Sequence, residues 1–180
     1  PDIVTLAKGI TGGLMPLGAT LISKKISKFY DKKYFPTGLT NYAHPISCAA
    51  AIAAIKVYKN EKLIKKSLIF GKIIEKKLKK MKLRFNCIGD FRGKGLFYAI
   101  EFVKNKKKER LVEWSYTNHF KKQKDIKNLL DFLWNKGLFC YSRYNMIYIC
   151  PPLVISKKDL LKGLSIIEEG IFKIIEKKYF

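Results

Sequence analysis

The stretch Pro1-Asp2-Ile3-Val4-Thr5-Leu6-Ala7-Lys8-Gly9-Ile10-Thr11-Gly12-Gly13-Leu14-Met15-Pro16-Leu17-Gly18-Ala19-Thr20 decides the reading of this chain. Its first part, Ile3 to Ala7, is apolar and partly β-branched, which predicts a short buried strand that delivers one lysine into a turn rich in glycine. A lysine at the end of a buried strand loses solvent. Its charged form is then disfavoured, and the neutral amine that attacks an aldehyde to make a Schiff base becomes accessible. Gly9, Gly12 and Gly13 have no side chains, so the backbone there can take positive φ and admit a flat ligand closely. For any one such lysine the alternative is a solvated charge at a turn, so the weight falls on what the rest of the chain carries.

Working outward, Ala19 to Ser23 reads as a second short buried strand and Lys25 to Tyr30 as a turn of helix. Pro45 is placed to open a helix, where its missing N–H costs nothing, and Ala49, Ala50, Ala51, Ala53 and Ala54 let that helix pack closely. Leu63, Ile64, Leu68, Ile69, Ile73, Ile74 and Leu78 recur at helical spacing through Glu61 to Met81, with lysines on the other side. Beyond Leu83 the pattern predicts strands at Phe85 to Ile88 and Gly95 to Val103, then a helix over Asp125 to Lys136. Strands follow at Leu138 to Tyr141 and Met146 to Cys150, and a final helix at Lys157 to Lys177. Strands and helices in this order suit a small α+β domain.

Composition sets the class. With 48% hydrophobic and 28% charged residues, the chain has no apolar run near the ~20 residues of a membrane helix. The first residues also lack the order of a signal peptide. Cys48, Cys87, Cys140 and Cys150 show neither a zinc spacing nor a disulfide framework, and read as buried thiols of a reducing compartment. A cytoplasmic protein with no membrane partner is the expectation. The net charge of +23 suggests a phosphate-neutralising surface, but only four of the 37 basic residues are arginine, the residue that makes bidentate contacts. Runs such as Lys76-Lys77-Leu78-Lys79-Lys80 and Lys104-Asn105-Lys106-Lys107-Lys108 read as solvated faces, so no nucleic-acid partner is expected. His44, just before a helix-opening proline, reads as a capping or packing residue, and His119 has no evident partner; neither supports a metal site.

Four blocks in order then resemble class III aminotransferases, the pyridoxal-phosphate enzymes of fold type I. The first is the lysine segment, Asp2 to Lys8-Gly9 with Gly13 and Pro16-Leu17-Gly18. The second is Thr37-Gly38-Leu39-Thr40-Asn41-Tyr42-Ala43-His44-Pro45 running into Ser47-Cys48-Ala49-Ala50-Ala51, similar to the family's G-x-T-Y-S-G-H-P-x-A-C-A-A-A. The third is Asp90-Phe91-Arg92-Gly93-Lys94-Gly95-Leu96-Phe97 with Ile100-Glu101-Phe102-Val103, and the fourth Pro151-Pro152-Leu153-Val154-Ile155.

The resemblance implies an α/β chain that is the carboxy-terminal part of a fold type I transferase. Residues 1–60 would close the large cofactor-binding domain, 61–82 would form an interdomain helix, and 83–180 a small α+β domain. Because the family's lysine follows a long stretch carrying most of the cofactor site, the resemblance also implies a fragment that is inactive alone. Lys8 would hold pyridoxal 5′-phosphate as a Schiff base and later move a proton. Thr40 would reach the cofactor phosphate of the neighbouring subunit, completing a site only in a homodimer, although Asn41 and Ala43 stand where the family has Tyr and Gly. Arg143 would bind the substrate's acid group, about two residues out of the usual register and without the following Gly-Asp. Arg92 reads as structural. The implied reaction moves an amino group from an ω-amino acid or amine, of the β-alanine or taurine kind, to pyruvate or a similar 2-oxo acid. Alternatives are an acetylornithine- or 4-aminobutyrate-type transaminase using 2-oxoglutarate, a glutamate-1-semialdehyde aminomutase, and a non-catalytic remnant acting as a binding protein.

Overall fold

The computed structural model describes residues 1–112 and 124–180. The chain divides into two compact units, Pro1–Leu63 and Ile64–Phe180.

In the first unit, β1 (Ile3–Leu6) and β2 (Ala19–Ile22) pair antiparallel, with Ile3 opposite Ile22 and Leu6 opposite Ala19. A single 3-10 turn, Lys8–Thr11, follows β1. Helix α1 (Lys24–Tyr30) and a long loop lead to α2 (Pro45–Asn60), whose first residue is the expected proline. The strands are where the sequence places them, but they are not buried: Ile3 is 56% exposed and Leu21 55%. Two strands alone leave both faces of the ribbon open, and an apolar ribbon needs a further strand or a packed helix to hide it. Only Thr11, Ser47, Ala51 and Leu63 are buried in this unit.

The second unit has a core of its own. Helix α3 (Leu63–Arg84) is followed by β3 (Ile88–Lys94), β4 (Phe97–Phe102), α4 (Lys124–Asn135), β5 (Tyr141–Arg143), β6 (Met146–Ile149) and α5 (Lys157–Gly170). The strands form one antiparallel sheet in the order β3-β4-β6-β5. Alternation puts Tyr98, Ile100 and Phe102 of β4, with Ile147 and Ile149 of β6, on the covered face. They join one cluster with Ile74, Leu78 and Met81 of α3, Ile126, Leu129 and Leu133 of α4, and Leu160, Leu164 and Ile167 of α5. Burial of each such side chain contributes about 1.5 to 3 kcal/mol. The helix read as an interdomain element over 61–82 thus packs as part of this unit.

Glycines set two close approaches here. A Cβ on Gly71 of α3 would lie 2.6 Å from the Gly95 carbonyl oxygen, so the helix and the β3–β4 turn touch backbone to backbone. Gly95 itself has φ +60, a conformation that side chains disfavour. At Gly89 the register shifts by a bulge, and a Cβ would meet Val103 Cγ1 at 2.5 Å.

Two strands differ most from their sequence-based bounds. The strand expected at Phe85 to Ile88 begins only at Ile88, as β3, because the amides of Asn86 and Cys87 donate to the Glu176 carboxylate at 3.1 and 2.9 Å and not to a ladder. Leu138 lies outside β5 because its N–H closes α4, donating to the Leu133 carbonyl at 2.9 Å around Gly137 at φ 78. The last helix starts as expected, capped by Ser156 Oγ accepting from the Asp159 amide at 3.0 Å. It then loosens into a π turn at Ile171–Glu176 before the short α6 (Lys177–Tyr179). The four cysteines are free, but only Cys87 is buried; Cys48 and Cys140 are half-buried and Cys150 is exposed. No helix among the described residues is long and apolar enough to cross a membrane.

Candidate functional site

Lys8 opens the 3-10 turn in the left-handed region, at φ 54, and Gly12 and Gly13 follow at φ 65 and 80. The sequence reading assigned positive φ to Gly9 as well; it is Lys8 itself that takes that conformation. A non-glycine residue is held there only where the surroundings fix it. Here the Lys8 carbonyl accepts from the Gly13 amide at 3.1 Å and from Thr11 Oγ1 at 3.4 Å. The single hydroxyl proton of Thr11, 1% exposed, is shared with the Met15 carbonyl, the closer acceptor at 2.7 Å. The Gly9 carbonyl accepts from the Gly12 amide at 3.1 Å and from the Tyr58 hydroxyl of α2 at 2.8 Å. Lys8 is exposed in this chain, where the two-stranded ribbon before and after it leaves both faces open. Among the described residues no hydrogen bond or ion pair engages its ammonium.

Thr40 lies in an exposed turn before α2. Asn41 and Ala43, which follow it, have φ 64 and 50. Ala43 stands where the resembled motif has glycine, and it keeps a backbone conformation that glycine adopts without cost. His44 is at the N-cap of α2 but makes no capping hydrogen bond. His119 lies outside the described residues. Among the described residues no group of three or more His, Cys, Asp or Glu could hold a metal.

Arg143 belongs to the second unit, at the end of the edge strand β5, next to a hairpin tip where Tyr144 has φ 55. Its guanidinium sits 5.3 Å from the Tyr144 ring centre, and a hydrogen bond with Tyr144 pushes it still higher above neutral pH. The other arginines are committed to carboxylates. Arg84 binds Glu168 at 3.3 Å, Arg110 is 3.6 Å from Glu101, and Arg92 bridges Asp90 and Glu101, the structural role expected of it. Lys82, hydrogen-bonded to Asp90, holds that carboxyl below its ordinary range. Among the described residues Arg143 alone of the four has no carboxylate partner. Beneath it Asn145, 3% exposed, ties the hairpin to β4 by donating to the Phe102 carbonyl at 3.0 Å. A cavity of about 410 Å³ in this unit, lined by apolar residues such as Leu138, Tyr148, Pro152 and Leu164, includes none of the three expected site residues.

The fold is that of the fold type I transaminases, solved examples of which match the chain along its whole length. The chain belongs to the class III aminotransferase family, whose model matches residues 1–171. It is 33% identical, over 97% of its own length and 34% of the relative, to a Vibrio splendidus protein named (R)-1-hydroxy-2-aminoethylphosphonate ammonia-lyase. It is 30% identical, over 95% of its length and 36% of the relative, to the adenosylmethionine-8-amino-7-oxononanoate aminotransferase of Methanocaldococcus jannaschii. A taurine:2-oxoglutarate aminotransferase from Bifidobacterium kashiwanohense, solved with PLP and glutamate, superimposes with a TM-score of 0.87 at 29% identity. That match covers all of this chain and 39% of that one. The chain thus spans about a third of the length of the curated relatives it matches.

Class III aminotransferases use pyridoxal 5′-phosphate. The lysine turn fits the group: it offers a primary amine without a competing partner, and a Cβ on Gly12 or Gly13 would meet nothing within 4 Å, which leaves the glycine side of the turn open to a flat ring.

Two side chains at the turn escaped the sequence reading, Thr11 and Tyr58. Nothing in the sequence links Tyr58 to Gly9, 49 residues away.

Proposed function

We propose that the protein to which this chain belongs is a pyridoxal-phosphate-dependent transaminase acting on a small amine that bears an acid group, of the ω-amino acid kind, with a 2-oxo acid such as pyruvate as acceptor. The observation that carries the reading is Lys8, an unpaired primary amine fixed in a left-handed turn beside two open glycines, in a chain of the class III family. The cofactor, when bound, supplies the electron sink that lets an amine exchange for a carbonyl. Lys8 Nζ would hold the cofactor and, once free, would take a proton from the substrate carbon and return it later in the reaction, work that requires a base able to be neutral near the working pH. The exposure of Lys8 in the chain by itself is consistent with a site finished by further residues, and we place Thr40 among those finishing the neighbouring subunit's phosphate site in a homodimer. Arg143, which has no carboxylate partner among the described residues, offers its fork to the acid group of donor or acceptor. The cytoplasm is the setting that suits free thiols. The ammonia-lyase name of the Vibrio relative supports a second reading, in which the same lysine drives elimination and no amino acceptor is used.

The test uses the full-length protein with the Lys8→Ala substitution. Borohydride should fix the cofactor to Lys8 in the unsubstituted protein and to no residue in the variant, with amine exchange abolished. Fixation at another lysine refutes the assignment. Ammonia release without any need for a 2-oxo acid favours the lyase reading.

A further inference from the structure

We propose that Tyr58 is a positioning residue for Lys8, holding the turn in the conformation from which the amine works. The inference rests on the reading that Lys8 carries the cofactor, and extends it to a residue in a different element.

The argument starts from backbone geometry. Lys8 at φ 54 sits in a region that side chains disfavour and glycine does not, so the chain relaxes out of it unless hydrogen bonds oppose the change. Those bonds converge on two carbonyls. That of Lys8 is occupied by the Gly13 amide and Thr11 Oγ1. That of Gly9, one peptide further on, is occupied by the Gly12 amide and Tyr58 Oη. Three of the four donors belong to the turn itself and move with it. Tyr58 alone comes from outside, from a helix of 16 residues whose Ser47 and Ala51 are buried. A donor on a rigid element fixes where the turn lies as well as how it is folded, and the reach of Lys8 Nζ depends on both. A catalytic amine displaced by about 1 Å can lose about 100-fold in rate. A Cβ on Gly9 would come within 3.5 Å of the same hydroxyl, an ordinary contact, so the tyrosine end lies against this peptide without crowding it.

Tyr58→Phe keeps the ring and removes only the hydroxyl. In the full-length protein without cofactor, amide hydrogen exchange over residues 8–15 should quicken by about fivefold, the shift expected for loss of one ordinary hydrogen bond, while residues 45–57 stay as protected as before. In the holoenzyme kcat should fall several-fold with the KM for the amine donor little changed, because the variant disturbs the reacting amine and not the donor's binding contacts. Unchanged exchange over 8–15, or a rise spread equally through α2, overturns the proposal and makes Tyr58 a packing residue. So does a loss confined to KM. Borohydride labelling of the unsubstituted enzyme separates the two readings. If it misses Lys8, the functional reading falls and Tyr58 with it. If it marks Lys8 while Tyr58→Phe behaves as the unsubstituted protein, only Tyr58 falls.

Discussion

Arg143 differs from the other three arginines in what it touches. Arg84, Arg92 and Arg110 spend their charge on Glu168, Asp90 and Glu101, whereas Arg143 has an aromatic ring at 5.3 Å and no acid among the described residues. A planar fork left over at a hairpin end suits a carboxylate or sulfonate supplied by a substrate. In the full-length protein, Arg143→Ala should therefore cost about 10- to 100-fold in kcat/KM for an ω-amino acid and for pyruvate, and leave a simple amine and an uncharged aldehyde almost untouched. Arg143→Lys should restore only part, since a point charge lacks the second parallel bond. Equal losses across all four substrates would make the residue a support of the hairpin. Residue by residue, the positive φ of Gly12 and Gly13 was legible in the sequence, because glycine's freedom is local, whereas Gly9 does not take that conformation. The sequence carried neither Tyr58 nor the left-handed turn at Lys8, because both follow from partners brought in by folding.

At the scale of elements, period and capping signals located the helices to within a few residues, as the Ser156 cap and the proline at the head of α2 illustrate. They failed where an element's end is decided by a distant acceptor. Asn86 and Cys87 look like the start of a strand, yet their amides belong to Glu176 in the π turn. Asp125 is the counterpart at the other end of the same tail. It begins α4, and its carboxylate accepts from Tyr179 Oη and Lys178 Nζ, both at 2.5 Å. Burial alone raises the pKa of Asp125, but the hydrogen bonds from Lys178 and Tyr179 outweigh it and hold the carboxyl below its ordinary range. A group depressed on folding stabilises the folded state above its unfolded pKa of about 3.9, and that contribution disappears as pH falls through the lower folded value. Asp125→Asn should thus destabilise by about 1 to 2 kcal/mol near neutral pH. The gap between the urea midpoints of the two proteins should hold down to about pH 5, begin to close near about pH 4 and vanish only as pH falls through the lower folded value. A gap that persists unchanged into acid would mean that Asp125 acts by packing or as a helix cap and not through its charge.

The whole molecule sets two kinds of stability side by side. The second unit closes a core around Ile74, Ile100, Leu129, Ile147 and Leu164 from its own elements, while the first leaves Ile3, Leu21, Ile22, Ile52 and Val57 in water. Both sets are equally apolar in the sequence, which is why the ribbon strands read as buried. An apolar pattern states that a surface needs covering; it does not say which residues cover it. In this chain by itself, Lys8 therefore sits on the unit with the smaller core. Hydrogen exchange on residues 1–180 produced alone measures this directly. Amides of α3, β4 and β6 should exchange only through cooperative unfolding of the second unit, and those of β1, β2 and the Lys8 turn should exchange orders of magnitude sooner through local opening. Pyridoxal phosphate added to that protein should slow exchange in the turn only weakly, because one amine on an exposed ribbon offers the cofactor little besides its own reactivity. Protection of β1 and β2 equal to that of β4 and β6 would show that the ribbon is stable without further cover.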